Sequence, residues 1–571
     1  MLAKTYNIML LEIYFNENKF QHKERRLSQK KAFSLFTKRG NYDSIGDMKN
    51  SHGKITFKEY TMEQPMLLPP SLDELIPEGH IVRIVNQFVE SIDISVLVAT
   101  YKGGGTSSYH PRMLLKVLVY AYINKVYSSR KIAAKLRENI NFMWLSGGNR
   151  PDFRTINRFR GERLSETIQE VFAQLVLYLA SHEYIDLSRY FIDGTKIEAN
   201  ANKFSYVWKK STNRYQQSVI DKVKELFKEI DKLNEEEDGE YGDRDLPEVG
   251  EGKEINSAEI EEKVRELNEK LKQKPEHKKT KKALNKITKD YLPRLKKYEA
   301  YQIAFGPRNS FSKTDQDATF MRMKGDSLRM PILKPGYNVQ IGTENQYIVG
   351  FSVHQNPSDS VGLIPHLEQV EKNLGGLPGK VIADAGYGCE QNYDYLERKH
   401  LAAFVKYPGF DREQGKAKRR KPNPRRKYYA ANFTYDQTTG EPICPEGKHL
   451  TYVETIEDKT NTGYIVTKDL YQCEHGTICP VRHLCTRALS GKRSHEYSPR
   501  LMLFKKQVSE RLTSVEGRAL RSQRLIEPEA VFGLIKQNLK FTRFNLRGLK
   551  KVSVEWALVS MAHNMIKMAA S

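Results

Sequence analysis

Two short apolar runs constrain this chain more than anything else in it. Each ends in an aspartate followed closely by glycine: Phe191-Ile192-Asp193-Gly194 and Val381-Ile382-Ala383-Asp384-Ala385-Gly386. Runs this short and apolar, bounded by glycine, read as β-strands. A carboxylate at a strand's carboxyl end, released into a glycine turn, projects at the sheet edge where open α/β sheets place their ligands. If the two strands are neighbours, their acids converge. Close carboxylates repel one another and favour a shared divalent cation. Mg²⁺ takes hard oxygen ligands and bridges to phosphates. Two such ions can activate an attacking oxygen and stabilise a leaving one in phosphodiester displacement.

That arrangement needs a third acid, and Glu529 is the candidate. It shares a helix with Phe532, Gly533 and Lys536, at spacings of three, four and seven that put all four on one face. Glu529 can then face the metals while Lys536 meets a phosphate. Glu527 is the near rival, since it also lies in the first helical turn, where negative charge is favoured in any case.

The rest of the chain alternates between helical and strand-like patterns. Residues 337–343 and 347–354 form a hairpin around Glu344-Asn345-Gln346. Residues 359–374 are an amphipathic helix, 379–384 a strand, 391–399 a helix and 402–406 a further strand. The order is that of a mixed α/β sheet. His354, Asn356 and Asp359 follow the third strand and can orient the site from behind it. A helix cap is the simpler reading of Asp359.

Two insertions interrupt this core. Between 205 and 305, Val219, Val223, Leu226, Ile230 and Leu233 form one coiled-coil stripe. Ile260, Val264, Leu267 and Leu271 form a second, and the acidic stretch 235–252 between them reads as the loop of an antiparallel hairpin. The other insertion, 409–505, opens with eight basic residues and two prolines between Lys416 and Lys427, a run too charged and broken to pack. It also holds Cys444, Cys473, Cys479 and Cys485. Four thiolates suit Zn²⁺, and His475 or His483 can replace one, but the spacing lacks a tight CxxC knuckle. Reduced core thiols are the equal alternative. Cys389 reads as structural.

Residues 55–180 are mostly helical. Arg112–Lys125 and Arg130–Glu138 are helices, the second capped by Ser128 or Ser129. After a Gly147-Gly148-Asn149 turn, Asp152 caps a third helix, Phe153–Arg160. This suits a helix-turn-helix that presents Arg154, Asn157, Arg158 and Arg160 to a DNA groove. An ordinary bundle with a charged outer face is the plainer reading. The formal net charge of +23 over 571 residues favours a polyanionic partner. The longest apolar stretch, Leu114–Ile123, is broken by Lys116, so no membrane span is expected. Residues 1–54 read as an extension lacking signal-peptide features, with Met48 the better start. The core segments are then 186–204, 306–408 and 506–571.

Several stretches resemble one family in its own order. They are Tyr109-His-Pro-Arg, Ser129-Arg-Lys-Ile-Ala, Phe153-Arg-Thr-Ile-Asn-Arg-Phe-Arg, and Ile192-Asp-Gly-Thr-Lys-Ile-Glu-Ala-Asn. Tyr337-Asn-Val-Gln, Ala383-Asp-Ala-Gly-Tyr, and Glu529-Ala-Val-Phe-Gly-Leu-Ile-Lys with Arg543 and Arg547 complete the series. Over about residues 55–568 the chain resembles DDE transposases of the IS1182 group, within the IS4/IS5-like insertion-sequence transposases. The resemblance implies an RNase H-like core with Asp193, Asp384 and Glu529 as its Mg²⁺- or Mn²⁺-binding triad. It also implies DNA contacts from Lys536, Arg543 and Arg547. Water would cut at the element's ends, and the freed 3′-hydroxyl would attack target DNA. A homodimer would hold the two ends, in the cytoplasm at the nucleoid. One departure stands out: Leu525 occupies the position of the family's arginine four before the third acid, with Arg524 the nearest substitute. The rivals are a catalytically silent DNA-binding protein, and an RNase H-like nuclease without strand transfer.

Overall fold

The computed structural model describes residues 71–101, 107–241, 256–273, 278–323, 332–415, 423–436, 438–474 and 478–571. The N-terminal extension, most of the acidic loop, Lys416–Pro422 and His475 lie outside them.

The central sheet is built from β1 (Arg189–Glu198), β2 (Leu333–Glu344), β3 (Tyr347–His354), β4 (Lys380–Ala383) and β5 (Ala402–Val405). In space they run β3-β2-β1-β4-β5. The β1–β2 and β2–β3 pairs are antiparallel, and β1–β4 and β4–β5 are parallel. The expected alternation of strands and helices is therefore present as a mixed sheet. A short strand missed in the sequence, Thr319–Arg322, pairs with the first residues of β2.

The hairpin between β2 and β3 turns on Asn345 and Gln346, both left-handed at φ 51° and 62°. Such two-residue turns match the twist of the strands they join. Gln346 is an unusual choice there. Its backbone N–H is held by the Glu527 carboxylate at 2.7 Å. Glu527 is buried in that task, so it is no rival to Glu529. On the outer strand β3, Ile348 donates to and accepts from the Asn564 side-chain amide, both at 2.8 Å. This satisfies main-chain groups that an edge strand would otherwise leave open.

The N-terminal region follows its expected helices closely. The first is α1 (Pro111–Ile123), with proline at its first position, and the second is α2 (Ser129–Glu138). The unpredicted short helix Ile140–Leu145 precedes the glycine turn, where Gly147 and Gly148 have φ of 56° and 74°. Asp152 caps α3 (Phe153–Arg158) by accepting the Thr155 N–H at 2.7 Å. This helix does not stop at Arg160. It runs through a π-helical turn, Phe159–Arg163, into α4 (Leu164–Ser181).

Residues 209–305 do not form the simple two-helix hairpin expected of them. The first stripe lies on the helix Lys209–Tyr241 and the second on Ser257–Gln273. A third helical stretch, Lys278–Phe305, packs against both. Val223, Phe227, Ile230, Ile260, Val264, Leu284, Ile287 and Leu295 close a core separate from that of the sheet. The heptad pattern identified the helices but could not show which partner each faced. Further along the chain, β6 (Thr451–Lys459), β7 (Ile465–Gln472) and β8 (Ser494–Tyr497) form an antiparallel sheet of their own.

Candidate active site

The register of the sheet explains how Asp193 and Asp384 meet. In the parallel β1–β4 pair, Phe191 lies opposite Ile382. Two residues further along each strand stand Asp193 and Asp384. Contrary to expectation, β1 does not end at Asp193. It continues to Glu198, paired throughout with β2. What ends is β4, at Ala383, so Asp384 enters a turn in which its Oδ1 accepts the Gly386 N–H at 2.8 Å. Gly194 therefore serves close approach and not a turn. A Cβ there would lie 2.3 Å from Gln340 Nε2 and 2.5 Å from Asp359 Oδ1.

Glu529 reaches the same place from the C-terminal segment. It lies in α6 (Pro528–Gly533), whose Val531 and Phe532 are buried, and which packs against β1 and β2. Just before it, α5 (Val515–Gln523) ends at Arg524, which joins the three acids. Arg524 Nη2 is 3.5 Å from Asp193 Oδ1 and 3.6 Å from Asp384 Oδ2. Its Nη1 is 3.3 Å from Glu529 Oε1. Asp193 is almost buried, whereas the side chains of Asp384 and Glu529 are 41% and 49% exposed. The group is thus open on one side.

Lys536 follows α6 within a π-helical turn, Leu534–Asn538. Its Nζ donates to Thr195 Oγ1 at 2.6 Å, two residues from Asp193 on the same strand face. This places its ammonium beside the strand that carries Asp193. On the opposite face of the sheet, Asp359 Oδ1 accepts from Asn338 Nδ2 and Gln340 Nε2, both at 2.9 Å. Asp359 is therefore not a side-chain cap, and the helix after it begins at Leu363. Tyr387 donates to Gln340 Oε1. Burial, together with the charges of Asp359, Asp193 and Asp384, raises the Tyr387 hydroxyl far above its ordinary range. Behind this, Tyr190, His366, Ser352 and His354 form a hydrogen-bonded chain with links of 2.6–2.7 Å. Burial lowers His366 to about 3 and His354 to about 4, so both are neutral at pH 7. Asn356 only turns its own loop, accepting the Ser358 N–H. The polar Asn338 and Gln340 in an otherwise apolar strand were the legible signal for this layer.

The other candidate residues divide. Arg154, Asn157 and Arg158 are exposed. Arg160 is not: it is 3% exposed and donates to Tyr122 Oη, Tyr127 O and Ser129 Oγ at 2.7–3.1 Å. Its expected place in a DNA groove is corrected to a buried tie between helices, because the π-helical turn carries position 160 inward. Arg543 donates to the carbonyls of Ala199 and Ala201, and Arg547 to that of Asn200. As found, both hold the chain that leaves β1. Among the cysteines, Cys444 and Cys473 pack against Phe433, Leu450 and Tyr471. Burial raises the Cys485 thiol, with further contributions from the other three. Among the described residues, no three His, Cys, Asp or Glu side chains are placed to hold a metal ion. Zinc accordingly gains no support.

Residues 443–569 match the family model described as Transposase DDE domain, which spans Glu529, Arg524 and the four cysteines. Residues 70–162 match Transposase domain (DUF772), which spans the exposed face of α3. The chain carries transposase domains, the more C-terminal of them of the DDE type. This pair of domains is typical of the IS1182 group. No curated protein matches the transposase. Among its described residues, no helix is long and apolar enough to cross a membrane.

Proposed function

We propose that this transposase cuts DNA at the ends of an insertion sequence and joins them to target DNA, with Asp193, Asp384 and Glu529 as its catalytic acids. One observation carries this reading: acids from three remote segments all lie within 3.6 Å of a single guanidinium. The sheet supports it too. Its order β3-β2-β1-β4-β5, antiparallel on one side of β1 and parallel on the other, is the pattern expected of an RNase H-like core.

The three carboxylates supply hard oxygen donors of the kind Mg²⁺ or Mn²⁺ prefers. When bound, such ions lower the pKa of an attacking water or hydroxyl and neutralise charge on the phosphoryl group. The protein's own part is to position and to exclude. Asp193 is fixed by its pairing with β2, two residues beyond the last β1–β4 pair, and Asp384 is aimed by its bond to the Gly386 N–H. Lys536 adds positive charge where a phosphate would lie. Arg154, Asn157 and Arg158 form the exposed face that would read the element's ends, and two ends brought together imply at least a dimer.

The test is incubation of the purified protein with a supercoiled plasmid bearing the element's ends and Mg²⁺ or Mn²⁺. Cleavage leaving 3′-hydroxyls, followed by joined products, is expected. Cleavage without joining would instead identify a nuclease, and binding alone a silent DNA-binding protein.

A further inference from the structure

The guanidinium at the centre of the acids differs from that of the buried Arg160. Arg160 makes hydrogen bonds of 2.7–3.1 Å to three neutral partners fixed in the helical core. Arg524 stands 3.3–3.6 Å from its three acids, beyond the 2.7–2.9 Å of tight charge-assisted bonds. Its side chain is only 12% exposed. Its Nε, like that of Arg160, is buried without a hydrogen-bond partner among the described residues. Arg160 is held by three hydrogen bonds to neutral groups, whereas Arg524 is held by charge and one long hydrogen bond to Glu529.

The backbone around Arg524 fits the same distinction. Arg524–Glu527 is a turn between two short helices, with Leu525 and Ile526 61% and 57% exposed. Little apolar packing fixes it. The charge balance supplies the reason for the contact. Three carboxylates this close repel one another, and one nearby cation offsets much of that repulsion. A divalent ion would meet the same need at the same oxygens. The guanidinium and the ion cannot both sit between them.

We propose that Arg524 is the resident counter-cation of the acid group, and that divalent ions and its guanidinium compete for the same three carboxylates. This rests on the reading of Asp193, Asp384 and Glu529 as metal ligands. It also gives the one-residue offset of the arginine a physical consequence. From position 524 the side chain lies among the acids, while Leu525 faces solvent.

Mn²⁺ binding to the full chain, followed by the loss of the free-ion electron paramagnetic resonance signal, tests the competition. Arg524→Gln should bind Mn²⁺ on the order of tenfold more tightly than the wild type. It should also melt at a lower temperature in chelator and gain more from added Mn²⁺. Arg524→Lys keeps the charge but cannot span three acids, so it should fall between. It decides the matter if the glutamine variant does not fold. Mn²⁺ affinity that is unchanged or weaker in the folded variants overturns the competition and leaves the acids as ligands. Wild-type binding that survives in Asp384→Asn overturns the ligand reading, and the competition with it.

Discussion

Two parts of this transposase looked like metal sites in the sequence, and they were assembled in different ways. The acids lie 191 and 145 positions apart along the chain, at 193, 384 and 529, yet they share one guanidinium. The cysteines lie within 42 residues, at 444, 473, 479 and 485, close enough for the other three to add to burial in raising the Cys485 thiol. Among the described residues, neither they nor the acids are arranged to hold a metal ion as they stand. Nearness in sequence is no requirement for side chains to meet. A parallel strand pair fixes the level of residues far apart with a precision that loops between nearby cysteines do not supply.

The largest effect that separates the two groups is catalytic. Asp193→Asn or Asp384→Asn should lower plasmid cleavage by at least about a thousandfold while leaving band-shift binding to the element's ends intact. Full cleavage in either variant would remove that acid from the site. Chelation should stop cleavage in the wild type, and added Mg²⁺ should restore it.

A second contrast is between arginines. Arg160→Ala should cost about 3 kcal/mol in urea unfolding, because it strips the partners from buried Tyr122 and Ser129. Arg158→Ala should change stability by less than about 0.5 kcal/mol, since its ion pair with Glu162 is long at 3.9 Å and exposed. Its effect should appear in end binding, as a salt dependence shallower by about 0.9 for each phosphate the variant no longer neutralises. Equal stability losses in the two variants would abolish the contrast.

What the sequence revealed follows the same division. The strands around Asp193 and Asp384 were legible because short apolar runs ending in Asp have few alternative structures. Helix starts were legible where a cap was chemically explicit, as at Asp152 and Pro111. The inward position of Arg160 was not, because a π-helical turn changes the residues per turn without leaving a mark in the hydrophobic pattern. The continuation of β1 past Asp193 was hidden by Gly194, a residue that signals a turn but here admits Gln340 and Asp359. Arg524 was legible only as the nearest substitute for a displaced arginine; its position among the acids depends on the turn after α5.

A carboxylate away from the acid group provides the third comparison. Glu344, at the far end of β2, is fully buried and accepts backbone N–H groups from Asp186, Leu187 and Arg189. Burial first, and then Asp186, push it up to about 7 from an ordinary 4.5. Its folded form therefore binds a proton that the unfolded chain releases earlier. That contribution is complete below pH 4.5 and is lost as pH rises through 7. Asp186, held down to about 2, acts outside this window: its contribution is present above 3.8 and is lost only as pH falls through 2. The wild type should lose about 2 kcal/mol between pH 5 and 8 from this group, and Glu344→Gln should flatten that slope. An unchanged slope would show that the proton is held elsewhere.

The smallest expected effect returns to the cysteines. Cys485 is half-buried, and both burial and the neighbouring thiols hold it in the protonated form. A thiol in that state is a small apolar group and a poor nucleophile. Cys485→Ser should then cost only about 1 kcal/mol and leave metal-dependent cleavage near the wild-type rate. Alkylation at neutral pH should be slow at this position in the folded protein and fast after denaturation. If the serine variant instead fails to fold, and wild-type protein carries one zinc per chain, the four thiols act through a metal. Their local sheet would then be a zinc-dependent unit.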